Sequence, residues 1–209
     1  MLVELAVKDF LNKVAGSEPV PGGGSIAALN GAIASALAAM VANLTIGKKG
    51  YEPHEELMRH IAEVAMRQKE IFVADIDRDS EAYDGVFACF KMPKATDEEK
   101  AARSAAIQEA TKHAALVPMQ VARNAYELMT IIMDVARLGN RNAVTDACVA
   151  MMSARSAVLG ALMNVRINLG SLKDKEFVAK LQEEANELER NACAKEKELL
   201  DEINQELKV

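Results

Sequence analysis

Aromatic residues, cysteine and proline are all scarce in this chain of 209 residues. Tryptophan is absent, aromatic residues make up 4% of the chain, and there are only five prolines. Half of the residues are hydrophobic and many of these are alanine or methionine, which favours packed helices over sheets. No stretch has the alternation typical of a half-buried strand, and no linker is long enough to divide domains. We therefore expect one all-α domain over residues 1–209.

The charge balance and the missing motifs exclude several classes of function. The formal net charge of −6 at pH 7 argues against general affinity for nucleic acids. The sequence has no HExxH or CxxC pattern and its three histidines are not paired, so we expect no metal site. It also lacks the GxSxG pattern of an acyl-transfer serine. Any catalysis is expected to depend on acid–base groups and electrostatic positioning.

The cysteines and the N-terminus indicate the cellular compartment. Three isolated cysteines, an odd number, are typical of a reduced intracellular protein. The N-terminal stretch is amphipathic and contains Glu4 and Asp9, unlike a signal peptide. We expect a cytoplasmic protein.

The most apolar stretch begins with one proline and three glycines and ends at Gly47. It is rich in alanine, and small residues recur at three- and four-residue spacing, which lets neighbouring helices come close. We expect Ser25 to cap its N-terminus and Gly47 to end it. A membrane span has a similar length, but alanine is weakly apolar and Asn30 and Asn43 interrupt the run. We therefore predict a buried central helix of a soluble bundle.

Six to seven helices are expected around and including this one. A capping box at Thr96 begins one of them, and Pro118 is expected to kink or split it. Apolar periodicity and end signals predict the other helices over residues 3–14, 53–92, 143–169 and 174–207.

Two helical faces carry unexpected polar residues. On the third helix, Asp79 falls on a stripe that runs from Phe72 through Tyr83 to Phe90, whereas Asp77 points away from it. A carboxylate on an apolar face is either held by structural hydrogen bonds or has a raised pKa suited to proton transfer, and spacing alone leaves both open.

The second face begins where a loop enters the helix over residues 143–169. Asp146 lies in its first turn, just after Asn140, Arg141 and Asn142. An acid at this position also simply favours the helix dipole. Asparagine, however, both donates and accepts hydrogen bonds without titrating, which suits a heterocycle with amide edges. For Ser153 and Asn168, further along the face, interhelical hydrogen bonding is the favoured role.

The glycines before the central helix are a weaker signal. Gly22, Gly23 and Gly24 can bring free backbone N–H groups close to an anionic or electron-rich ligand. A flexible turn is the simpler interpretation of the same residues.

Several motifs taken together resemble one known family. They are PVPGGGS, ANLTIGKKGY, DIDRDSEAY followed by KMPK, EEKAARSAAIQEATKHAALVP and GNRNAVTDA. In this order, and over nearly the whole chain, they resemble the formimidoyltetrahydrofolate cyclodeaminase / methenyltetrahydrofolate cyclohydrolase family. The resemblance weakens only in the last helix. Met92 replaces a usual leucine and Thr145 a usual serine, which keeps the hydroxyl.

The resemblance implies site residues at the matching positions. Asp79 and Asp146 become the candidate catalytic acid and base, and Asp77 the other member of a pair of acids. Lys48, Lys49 or Lys94 would meet the glutamate tail of a folate. The full set of candidate substrate-binding residues is Gly22, Gly23, Gly24, Ser25, Lys48, Lys49, Tyr83, Lys94, Asn140 and Asn142.

The resemblance also implies two related reactions. In cyclodeamination, N10 attacks the formimino carbon on N5, ammonia leaves and 5,10-methenyltetrahydrofolate closes. In the cyclohydrolase reaction, water attacks the methenyl carbon and the ring opens to 10-formyltetrahydrofolate. Cyclodeamination is favoured by a small margin, and the third alternative is a non-catalytic bundle that binds folate or a protein.

The family further implies an all-helical, metal-free enzyme without a cofactor other than its tetrahydrofolate substrate, which carries one glutamate or a polyglutamate tail. We expect a homodimer with the active site at or near the subunit interface, and no nucleic-acid or membrane partner. A separate formiminotransferase is a possible partner, since bifunctional relatives carry that activity in the same chain.

Overall fold

Six α-helices and three single 3₁₀ turns account for most of the computed structural model, which describes residues 1–207. No strand occurs within this range. The helices are α1 (Val7–Val14), α2 (Gly23–Asn43), α3 (Glu55–Phe90), α4 (Asp97–Leu138), α5 (Val144–Leu169) and α6 (Lys175–Glu206). The all-α prediction is confirmed. The predicted first helix is shorter than expected, because residues 2–4 form a separate 3₁₀ turn before α1.

Helix α2 is the centre of the bundle, as predicted, and packs on α3, α4 and α5. Seven of its eight alanines are buried, and the exposed Ala36 lies on the side that also exposes Ile33 and Met40. Gly31 is needed because a Cβ there would lie 2.6 Å from the Phe72 ring of α3. The expected N-cap is wrong. The helix begins three residues earlier, with Gly22 as its cap, so Ser25 lies inside the first turn. After α2 ends, the chain turns through Gly47, whose φ of +70° suits glycine.

Pro118 does not split α4, which was one of the two effects predicted for it. A proline inside a helix leaves the carbonyl four residues earlier without its usual N–H donor. Here that carbonyl belongs to Ala114, and the side-chain amide of Asn168 on α5 donates to it at 3.0 Å. The donor supplied by α5 allows α4 to continue through Leu138. Interhelical hydrogen bonding by Asn168 is therefore confirmed.

Helix α6 is held to the bundle by arginine–glutamate pairs as well as by apolar contacts. The arginine–glutamate ion pairs that join α6 to α4 and α5 are Arg123–Glu184, Arg137–Glu198, Arg137–Glu202, Arg155–Glu196 and Arg166–Glu189. Arg141, in the turn before α5, pairs with Glu206. Between them, Leu181, Leu199 and Ile203 are buried against the core.

Two segments are long and apolar enough to cross a membrane. They are α2 and the stretch Arg141–Leu169, with mean hydropathies of 1.8 and 1.4. Buried core helices of soluble proteins have the same length and composition, and 61% of the apolar window in α2 is buried inside the bundle. The burial of α2 agrees with its predicted role as a core helix.

Candidate functional site

A cleft of about 340 Å³ opens at the N-terminal end of α2. The glycine turn forms one side, α3 supplies Asp79 and Tyr83, and α5 supplies Asn164 and Asn168. Pro19, Val20, Ala82, Val86, Ala114 and Ile167 complete its lining. The cleft thus combines apolar walls with a few polar groups, as is typical of sites for small organic ligands.

Asp79 lies against the first turn of α2, and only glycine at position 24 permits this approach. A Cβ on Gly24 would lie 1.9 Å from Oδ1 of Asp79. The Ser25 hydroxyl lies 3.1 Å from Oδ2 of Asp79 and 3.0 Å from the carbonyl oxygen of Ile76. Gly24 therefore serves the placement of a carboxyl group, which the sequence alone did not reveal.

Burial raises the pKa of Asp79 above its ordinary value, while hydrogen bonds from the Ser25 hydroxyl and backbone N–H partly oppose this rise. Ser25 itself is fully buried. Its hydroxyl therefore contacts Asp79 and does not face the open cleft, so Ser25 is a residue that positions Asp79. This differs from the substrate contact that the sequence predicted for it.

The asparagines of α5 form the opposite wall. Asn164 lies so close to the glycine turn that a Cβ on Gly23 would be 3.3 Å from its Nδ2. The Asn164 amide donates to the carbonyl of Gly160, which leaves its oxygen available as an acceptor. Asn164 was not among the site residues predicted from the sequence. Its position on the same helical face as Asn168 could have indicated it.

The apolar stripe that was predicted on α3 is buried only in part. Phe72 and Ile76 are buried, but Tyr83, Phe87 and Phe90 are 41%, 50% and 51% exposed. Only Tyr83 of these three lines the cleft. The C-terminal part of α3 extends beyond the N-terminal end of α2, so α2 does not cover these rings.

The other two acids of the DIDRDS segment have different surroundings. Asp77 is turned away from the cleft and accepts a hydrogen bond of 2.7 Å from the backbone N–H of Leu2, which ties down the N-terminus. Asp75 is buried and forms a 2.8 Å ion pair with Arg78. Burial raises the pKa of Asp75, and Arg78 opposes this rise. Asp75 was not among the notable acids predicted from the sequence.

A second polar cluster joins the loop after α2 to the loop before α5. The Asn140 side chain accepts from Nζ of Lys48 and donates to the carbonyl of Leu44 at 3.1 Å. The backbone N–H of Asn140 donates to the Thr45 hydroxyl at 2.8 Å, and that of Asn142 to Oδ1 of Asn140 at 3.1 Å. Lys48 and Asn140 are therefore engaged with each other, while Lys49 is exposed.

The two clusters lie at opposite ends of the bundle. Asn164 is next to the glycine turn, and Asp146 is 18 residues away on the same helix, which corresponds to about 27 Å. One end of the bundle therefore contains Gly22, Gly23, Gly24, Asp79 and Tyr83. The other end contains Lys48, Asn140, Asn142 and Asp146. Within one chain, Asp79 and Asp146 do not meet. Lys94 lies in the exposed loop after α3, outside both clusters.

Residues 1–207 contain no group of three or more His, Cys, Asp or Glu side chains arranged to hold a metal ion. The polar groups of the two clusters are carboxyl, amide, hydroxyl and ammonium groups.

Comparison with known proteins identifies the family of this bundle. The family model for formiminotransferase-cyclodeaminase matches residues 6–187. The chain belongs to this family. The match includes the glycine turn, all of α3, both loops of the second cluster and the first part of α6. It confirms the resemblance inferred from the sequence motifs.

Individual relatives include two kinds of folate enzyme. The chain is 42% identical over 183 residues to the methenyltetrahydrofolate cyclohydrolase of Methylorubrum extorquens, covering 88% of this chain and 86% of that protein. It is 30% identical to the formimidoyltransferase-cyclodeaminase of Rattus norvegicus, but spans only 35% of that longer protein. The crystal structure of formiminotetrahydrofolate cyclodeaminase from Thermotoga maritima superposes with a TM-score of 0.85 at 32% identity, covering 97% of this chain and 99% of that one. The chain is thus a member of a folate one-carbon enzyme family.

Proposed function

We propose that this enzyme hydrolyses 5,10-methenyltetrahydrofolate to 10-formyltetrahydrofolate. The observation that carries the proposal is Asp79, a carboxyl group of raised pKa at a cleft of suitable size, within a chain 42% identical to a methenyltetrahydrofolate cyclohydrolase. That relative is also of nearly the same length.

In this reaction, water adds to the methenyl carbon and loses one proton. As the bond from N5 to that carbon breaks, N5 receives a proton and the same oxygen loses its second one, so one proton is released overall as the cationic methenyl group becomes a neutral formyl group. Asp79 takes the first proton from water as a carboxylate and returns it to N5 as an acid. Asp146 of a second copy of the chain, placed at the cleft as proposed below, accepts the second proton and passes it to solvent. The Ser25 hydroxyl holds the carboxyl group in place. Backbone N–H groups of the glycine turn and the amide of Asn164 face the pterin edges.

Cyclodeamination is the second candidate, favoured by the superposition on the Thermotoga maritima enzyme and by the small margin that it received from the sequence-based resemblance. In that reaction N10 is the nucleophile, and the carboxyl group of Asp79 protonates the nitrogen that leaves as ammonia. Both reactions need one proton acceptor and one proton donor, and both involve 5,10-methenyltetrahydrofolate. The same residues therefore serve either reaction.

An absorbance assay of the methenyl chromophore separates the two. Loss of the chromophore faster than in buffer supports hydrolysis, and its appearance from 5-formimidoyltetrahydrofolate supports deamination. We expect Asp79→Asn and Asp146→Asn each to lower kcat by about 10²-fold or more. Asp77→Asn is the matched control, because that acid holds the N-terminus and faces away from the cleft. No change in either assay with wild-type enzyme refutes both reactions.

The complete active site is proposed to form between two copies of the chain. Helices α2 and α5 are antiparallel neighbours, since Gly23 meets Asn164 at one end and Leu44 meets Asn140 at the other. Their outer faces expose a stripe of large apolar residues at helical spacing. The stripe consists of Ile33, Met40, Leu44, Val149, Met152, Met163 and Ile167. Such a two-helix face suits a second copy of itself.

A two-fold axis in the plane of this face, perpendicular to the helices, turns one copy end for end. The cleft with Asp79 then faces the partner's Lys48, Asn140 and Asp146 across the interface. This arrangement brings together the two clusters that lie about 27 Å apart in one chain. It also accounts for site motifs at both ends of the bundle.

Subunit mixing tests the shared site. Homodimers of Asp79→Asn and of Asp146→Asn are both expected to be inactive. In a mixed dimer, one of the two sites would contain only wild-type residues, so refolding an equal mixture restores about a quarter of wild-type activity. If mixing restores none, although light scattering detects dimers, the two acids do not share a site.

The remaining expectations are part of the same proposal. The enzyme works without a metal or a further cofactor, in the cytoplasm, and binds neither membranes nor nucleic acids. Full activity after dialysis against a chelator, and recovery in the soluble fraction of lysed cells, are the expected results. A separate formiminotransferase is the possible upstream partner if deamination proves to be the reaction.

A further inference from the structure

Four residues spaced by four continue from the cleft towards the C-terminal end of α3. They are Asp79, Tyr83, Phe87 and Lys91, so a carboxyl group is followed by two aromatic rings and an ammonium group. Residues four apart are neighbours on a helix, and such rows run slightly inclined to the helix axis. The row therefore forms a continuous strip of surface.

Side-chain contacts link the members of this strip. The rings of Tyr83 and Phe87 are stacked, with centroids 6.3 Å apart and an angle of 12° between their planes. Nζ of Lys91 lies 4.5 Å from the centroid of Phe87. The ammonium group thus folds back over the ring and lies about 12 Å along the helix from Asp79.

The strip is open to solvent and connected to the cleft. Tyr83 lines the cleft and is 41% exposed, and Phe87 is 50% exposed. Phe90 beside them is also exposed, with Arg103 stacked on its ring at 5.5 Å. Aromatic rings kept at a surface beside cations suit a ligand that has a ring of its own followed by negative charge.

We propose that the strip binds the p-aminobenzoyl-glutamate half of a tetrahydrofolate substrate. The inference rests on the proposed function, because it takes the reacting nitrogens to lie at Asp79. The p-aminobenzoyl ring then stacks on Tyr83 and Phe87, and the glutamate carboxylates meet Lys91. A p-aminobenzoyl ring and one glutamyl residue together span a length comparable to this strip.

Lys49 is a second candidate for binding the glutamate tail. Lys48 already binds Asn140, whereas Lys49 is exposed in the same loop at the other end of the bundle. Lys94 follows Lys91 by three residues and adds positive charge where the strip ends. The glutamate tail thus lies either near Lys91 and Lys94 or near Lys49. Substituting these lysines one at a time shows which of the two positions is correct.

Binding measurements with two ligands test the strip without relying on turnover. The probes are 5-formyltetrahydrofolate and the methylamide of 5-formyltetrahydropteroic acid, which has the p-aminobenzoyl ring but neither a glutamate nor a carboxylate. Lys91→Met is expected to weaken binding of the first by about fivefold, as for a partly exposed charge pair, and to leave the second unchanged. Phe87→Leu is expected to weaken both by about fivefold, since both carry the ring. Lys197→Met, on the exposed surface of α6 where this lysine pairs with Asp201, is the matched control and should change neither. Lys49→Met tests the competing position of the tail.

Several outcomes would overturn the inference. One is an unchanged affinity of Lys91→Met for the glutamylated probe, and another is a loss of affinity in Lys49→Met instead. A shift of Phe87→Leu from dimer to monomer in light scattering would assign the rings to the subunit interface. If wild-type protein binds both probes but turns over neither folate substrate, the proposed function is wrong, and the affinities of the variants still decide whether the strip binds the ligand. If it binds neither probe, both fail.

Discussion

The approach of Asp79 to the glycine turn gives the sharpest prediction. In Gly24→Ala the new Cβ would lie 1.9 Å from Oδ1 of Asp79 and 2.4 Å from its Cγ. The carboxyl group must therefore rotate away and lose its contact with the Ser25 hydroxyl. We expect kcat to fall by about 10²-fold, as for loss of a general acid–base group.

Stability should change much less than activity in this variant. Overpacking costs about 1–3 kcal/mol, while alanine gains up to about 1 kcal/mol over glycine within a helix. The net loss in the free energy of unfolding is therefore about 0–3 kcal/mol. Urea unfolding measures this loss, and the methenyl absorbance assay measures kcat.

The neighbouring glycine provides the control. In Gly23→Ala the new Cβ would be 3.3 Å from the side-chain amide of Asn164, which can shift by a few tenths of an ångström. Because Asn164 is proposed to contact the pterin, KM should rise in this variant, while kcat should fall much less than in Gly24→Ala. The reasoning is refuted if Gly24→Ala keeps wild-type kcat, or if Gly23→Ala loses as much.

Three further predictions concern stability and assembly. Burial raises the pKa of Asp79, so its carboxyl favours the folded state when protonated, and this contribution is lost as pH rises through the folded-state pKa. Asp79→Asn should therefore have a higher Tm than the wild type at pH 7, and this difference should disappear at acidic pH. A Tm difference that is the same at both pH values would contradict the prediction. Asn168→Leu leaves the Ala114 carbonyl without its donor and should cost about 1–3 kcal/mol in urea unfolding. Adding Pro118→Ala, which restores a backbone N–H, should recover part of this loss, and no recovery would show that the carbonyl is not the cause. Met163→Glu places a charge on the exposed face of α5 and should give monomers in light scattering; unchanged dimers would exclude this face as the interface.

Much of the fold could be predicted because helix signals in the sequence are local. The capping box at Thr96 is present as expected, and glycine follows the last residue of both α4 and α5. The errors occurred where a distant residue decides the structure. Pro118 was expected to interrupt α4, but its effect is offset by Asn168 on another helix, 50 residues further along the chain. Spacing within one helix carries no information about such a donor.

The site was less predictable than the fold for a related reason. Helical periodicity correctly separated Asp79 from Asp77, because the two residues lie on different faces of one helix. It did not reveal that Asp79 and Asp146 are at opposite ends of the bundle, which depends on how α3 and α5 pack. It also missed Asp75, whose burial depends on its tertiary surroundings, and Asn164, which becomes notable only beside the glycine turn.

The hydrogen bond between Asn168 and Ala114 limits how this cleft can be redesigned. Both residues line the cleft, and the carbonyl that Pro118 leaves free requires a donor at this point in the wall. An apolar residue at position 168, introduced to admit a more hydrophobic ligand, would therefore lower the stability of the folded bundle as well as change ligand selectivity. A designer would first replace Pro118, which lies outside the cleft lining, and only then alter the wall. Substrate preference and helix continuity are thereby linked through one amide group.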